Sequence, residues 1–125
     1  MGAGRIALFG LAACGMIAAA NASDLVDRAP ALIKEIGRDL SSLRDNIRAD
    51  CKFRHPDSAG VADACFRRQY ESHIVLRDAW WKTPDRHSRG ITLICMDENQ
   101  TLNGFDWTST ARCYERNIVA LRRKS

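Results

Sequence analysis

Ile47-Arg48-Ala49-Asp50-Cys51-Lys52-Phe53-Arg54-His55-Pro56-Asp57-Ser58-Ala59-Gly60-Val61-Ala62-Asp63-Ala64-Cys65 is the stretch on which the fold of this chain turns. A run of turn formers, Pro56, Asp57, Ser58 and Gly60, separates two flanks, and each flank carries one cysteine. Turn chemistry between apolar-periodic flanks reads as a helix–loop–helix elbow. A weak copy of the block recurs downstream. Ile91 precedes Cys95 as Ile47 precedes Cys51, and Cys65-Phe66-Arg67-Arg68-Gln69-Tyr70 is echoed by Cys113-Tyr114-Glu115-Arg116-Asn117-Ile118. Aromatic, Arg, amide and apolar side chains return at the same offsets. A repeat of roughly 45 residues implies two stapled elbows. The expected fold is therefore all-α, about four helices in two weakly repeated units, 30–82 and 91–123.

The repeat also orders the cysteines. Four cysteines allow three pairings, and the duplication favours Cys51–Cys65 and Cys95–Cys113. A four-thiolate zinc site needs close C-x2-C knuckles, and the chain has none, which argues equally against a thioredoxin-type redox centre. Paired cysteines in a small domain point to an oxidising compartment.

The N-terminus agrees with that compartment. Met1 to Arg5 carries one positive charge, Ile6 to Ala20 carries none and is rich in Ala, Leu and Ile, and Ala20-Asn21-Ala22 offers a small-x-small cleavage site. This is the pattern of a signal peptide, residues 1–22, removed to leave a single domain over 23–125. The apolar run is short for a membrane crossing. A competing reading is a lipobox at Leu11-Ala12-Ala13-Cys14, with Cys14 acylated and the protein held at the membrane. Cys14 lies early for that, and the sequence stays apolar beyond it. The expected location is periplasmic or secreted, with a membrane-anchored lipoprotein as the alternative.

Composition bounds the rest. The chain has 125 residues, 46% hydrophobic and 27% charged, with Lys+Arg 19 against Asp+Glu 15 and a formal net charge of +4. That balance suits one globular domain and excludes wholesale disorder. The charge is too mild and mixed to imply nucleic acid.

Between Pro30 and Cys51 the spacing predicts one continuous helix. Val26, Ala29, Ile33, Ile36, Leu40, Leu43 and Ile47 recur at intervals of three and four and draw one apolar stripe. A second helix is expected from about Val61 to Lys82, capped by Asp57 or Ser58 and laced by Asp63–Arg67 and Asp78–Lys82 pairs. Thr83 to Gly90 reads as a hinge between the units. Ile91 to Asn99 reads as a shorter helix, although its β-branched residues also suit a strand. Asn103-Gly104 makes a turn, and Asp106 caps a last helix from Trp107 to about Arg123.

Chemistry-bearing motifs are scarce. His55, His73 and His87 form no H-x3-H or H-E-x-x-H pattern, and there is no G-x-S-x-G, P-loop or Gly-rich dinucleotide turn. A small hydrolase acting through two of those histidines stays an alternative that requires the fold to bring two rings together. No cofactor or metal is implied, and no enzymatic activity is expected. Trp80-Trp81 stands out, because helical neighbours diverge by about 100° and one ring tends to be left in solvent. The pair reads either as core and half-core packing near the hinge or, with Arg77, Arg86 and Arg89 around it, as a candidate anchor for a partner. The expected role is a non-enzymatic binding protein of the cell envelope, meeting another envelope protein or, as a weaker reading, an anionic membrane surface. Asn99-Gln100-Thr101 is also a glycosylation sequon.

Overall fold

A computed structural model describes residues 27–124. The expected leader over 1–22, Cys14 and Val26 lie outside the described residues. The order is α1 (27–36), α2 (Leu40–Arg54), α3 (Ala59–Lys82), α4 (Arg86–Glu98), β1 (Gln100–Thr101), β2 (Gly104–Phe105) and α5 (Trp107–Lys124). The fold is a small all-α domain stapled by two disulfides. Cys51 on α2 joins Cys65 on α3, and Cys95 on α4 joins Cys113 on α5, each with Cα atoms 5.7 Å apart. Each staple closes one antiparallel helix pair, and α3 packs against α5 to join the pairs.

The predicted continuous helix over 30–51 is two helices. It breaks at 37–39, where Asp39 caps α2 by accepting from the Ser42 amide at 3.2 Å. A side-chain acceptor for a free helix N–H costs less than forcing Gly37 into a helix interior, so the chain restarts there. The break resets the apolar phase. Leu32 and Ile36 face the core from α1 and Leu43, Ile47 and Cys51 from α2, while Ile33 and Leu40 of the predicted stripe are exposed. Two fasteners hold α1 in place. Arg28 forms a two-pronged bridge to Asp97 on α4, at 3.0 and 2.7 Å, and Arg77 on α3 donates to the Arg38 carbonyl at 2.6 Å.

Other boundaries shift for similar reasons. Ser58, of the two caps considered, serves α3 by accepting from Val61 N at 3.2 Å. The expected hinge 83–90 contracts to 83–85, because Asp85 caps α4 through Ser88 N at 3.0 Å and starts the helix at Arg86. Asp78–Lys82 forms at 3.1 Å, but Asp63 turns toward Arg48 on α2, at 3.9 Å, rather than toward Arg67. The Asn103-Gly104 turn belongs to a small antiparallel hairpin with Gln100 opposite Phe105.

The buried face of α3 carries Ala62, Cys65, Gln69, His73, Leu76 and Trp80. Gln69 is a polar rivet within it. Its Nε2 donates to Asp106 Oδ1 at 3.0 Å, and its Oε1 accepts from the Trp107 amide at 2.6 Å. Burial pushes the Asp106 carboxyl up, but hydrogen bonds from Gln69 and Ser109 outweigh it and hold the group below its usual range. Gln69→Leu strands a buried Trp107 N–H and is expected to cost about 2 kcal/mol, read as a lower urea midpoint with an unchanged slope.

Candidate interaction surface at the α3–α4 corner

The last turn of α3 sorts the two tryptophans by helical geometry. Trp80 faces the core and is 6% exposed, whereas Trp81 points outward and is 62% exposed. Thr83 closes α3 with its amide bonded to the Ala79 carbonyl, and the short link then places the first turn of α4 beside both rings. Arg89, one turn into α4, reaches back across the corner. Its Nε and Nη2 donate to the Trp80 carbonyl at 3.1 and 2.9 Å, and its guanidinium carbon lies 4.7 Å from the Trp80 ring and 5.8 Å from the Trp81 ring. A cation at a helix C-terminus satisfies an orphan carbonyl and opposes the negative end of the dipole. The same guanidinium stacks on aromatic faces, a cation–π contact that fixes the corner's shape.

The five residues singled out in the sequence therefore divide in two. Trp80, Arg77 and Arg89 hold the fold together, through the core, the Arg38 carbonyl and the α3 C-terminus. Trp81 and Arg86 face solvent. Arg77 and Trp81 lie four apart on α3 and share a face. Hydrogen bonds to neutral carbonyls leave the charges of Arg77 and Arg89 uncompensated. Among the described residues, no carboxylate comes within ion-pair distance of Arg77, Arg86 or Arg89; Lys82 alone is paired, with Asp78. The nearby acid, Asp85, is held below its usual carboxylate range by the amide and hydroxyl of Ser88 and stays anionic as the α4 cap. Tyr114 on α5 is pushed up by burial; the Arg122 charge opposes the shift and the Asp85 charge adds to it.

The histidines occupy separate elements. His55 caps α2 beside a shallow cavity of about 240 Å³ with Arg54, Pro56 and Asp57 on its wall. His87 is exposed in the first turn of α4, and His73 is fully buried on α3. The His73 ring meets Trp107 edge-on with centroids 4.5 Å apart, and neither nitrogen has a hydrogen-bond partner. No hydrogen bond or ring contact joins two histidines among the described residues. Nor do His, Cys, Asp and Glu there gather in any group of three able to hold a metal. Asn99 of the sequon donates its amide to the Cys95 carbonyl at 2.8 Å and so finishes α4.

The sequence names Gln69, His73 and Asp106 but not the buried roles of Gln69 and His73, nor the bond from Gln69 to Asp106. Their signal was present: Ala62, Cys65, Gln69, His73, Leu76 and Trp80 recur at intervals of three and four, so the polar pair sits on the apolar face. Two disulfides are consistent with an oxidising compartment, and among the described residues no helix is long and apolar enough to cross a membrane. Comparison with protein-family models, with curated proteins and with solved structures finds no match.

Proposed function

We propose that the chain is exported to the periplasm or beyond on a signal peptide spanning 1–22, and works there as a non-enzymatic interaction module. Its contact face is the α3–α4 corner, and its partner is an acidic component of the cell envelope. One observation carries the reading: an indole largely in solvent, Trp81, on a corner braced by Arg89, where Arg77, Arg86 and Arg89 have no carboxylate partner among the described residues. Exposed large aromatics beside Arg are the usual anchors of interfaces. The two staples support export, because such bonds form and persist chiefly where the medium is oxidising.

Photo-crosslinking tests it. A benzophenone amino acid replacing Trp81 in the exported protein is expected to give a light-dependent adduct in intact cells. The same group at Lys52, exposed near the far end of α2, is expected to give none. Equal labelling from both positions, or none from 81, contradicts the assignment.

A further inference from the structure

We propose that the acidic component met by this corner is an anionic phospholipid surface, with the Trp81 indole seated among headgroups and the cations of α3 and α4 beside it. The inference rests on the reading of the corner as the contact face. Three observations select lipid over an acidic protein.

Arg89 closes its Nε/Nη2 fork on the Trp80 carbonyl, and Arg77 is tied by Nη1 to the Arg38 carbonyl. Anchored guanidiniums are poorly placed to give a protein carboxylate the two-pronged grip that makes such pairs specific. They still project full charge, and a charged layer responds to field alone. The cations also come from separate elements: Arg77 and Lys82 from α3, and Arg86 and Arg89 from α4. Asp78 and Asp85 are the acids among them. A dispersed positive end suits a planar sheet of negative groups better than a point partner. Finally, one indole buries too little area to hold a folded protein, whereas Trp is at home in the headgroup region and adds to electrostatic attraction as a second signal.

Sedimentation of the disulfide-bonded protein with equimolar phosphatidylglycerol–phosphatidylcholine vesicles tests this, beside phosphatidylcholine vesicles and immobilised poly-glutamate. The protein is expected to pellet with the anionic vesicles only, and to be released in salt near 1 M, where screening acts within about 3 Å. Arg86→Ala is expected to weaken pelleting about fivefold, and Arg86→Glu further. Trp81→Ala is expected to abolish the blue shift of tryptophan emission that accompanies binding. Both side chains face solvent, and an unchanged far-UV spectrum checks that the variants fold. Retention on poly-glutamate that depends on Trp81 and Arg86, without pelleting, overturns the lipid assignment and leaves an acidic partner standing. Binding to neither, or binding indifferent to both positions, overturns the contact face as well.

Discussion

Reduction of both disulfides is expected to unfold the protein. The staples close loops with sequence separations of 14 and 18, and loops of that size constrain the unfolded chain by about 3 kcal/mol each in the chain-entropy model. Together that is about 6 kcal/mol, against a total of roughly 5–15 for a domain of ordinary stability. All four sulfurs are buried, so reduction also crowds two non-bonded thiols where one S–S bond stood, inside closely packed helix pairs. Replacing either pair by alanine is expected to lower Tm by about 15 °C, and replacing both to abolish the cooperative transition. Thermal melts followed by circular dichroism, with and without dithiothreitol, check this. Coincident melts would contradict it.

Acid is expected to destabilise the protein through His73. Burial lowers its pKa from 6.5 to about 4, and the Arg77 charge adds to the effect. The carbonyls of Glu35 and Ile36 at the end of α1 face the ring and pull the other way, without completing a hydrogen bond. Because the folded value lies below the unfolded one, the folded state binds fewer protons in between. The stability that neutral His73 allows is therefore complete above pH 6.5 and is lost as pH falls toward about 4. Over that window the loss amounts to about 3 kcal/mol, at 1.36 per pKa unit. His73→Leu keeps similar bulk and takes no proton, so it is expected to flatten the curve. Carboxylates titrate below most of this range, which leaves the histidine as the dominant source of slope within it. Urea midpoints of both proteins at several pH values provide the check, and parallel curves would refute the role given to His73.

What the residues alone disclosed depended on whether the deciding interaction was local. Turn formers between Cys51 and Cys65, and the faint echo of the residues after Cys65 in those after Cys113, were enough for the helical class and the pairing. Ser58 and Asp106 were recognisable as caps because a cap acts within three residues. Asp39 acts over the same span, but it was hidden: it stood in a stripe so regular that its carboxylate read as one more surface charge. The break it causes exchanged Ile33 for Leu32 on the buried face. Long-range contacts were out of reach. Nothing in the order of residues says that Arg28 grips Asp97, or that Arg89 folds back onto the Trp80 carbonyl. At the corner, the sequence suggested that one of two adjacent indoles would be exposed. It took the packing of α3 to show that the exposed one is Trp81, and to assign Arg77 and Arg89 to holding the fold.

Disulfide mapping of the native protein tests the central claim most directly. Unreduced material, alkylated and then digested, is analysed by mass spectrometry together with the intact chain. One cross-linked peptide pair joining Cys51 to Cys65, another joining Cys95 to Cys113, and an intact mass lacking residues 1–22 are expected. Four alkylated cysteines, or a bridge between the two helix pairs, would contradict it.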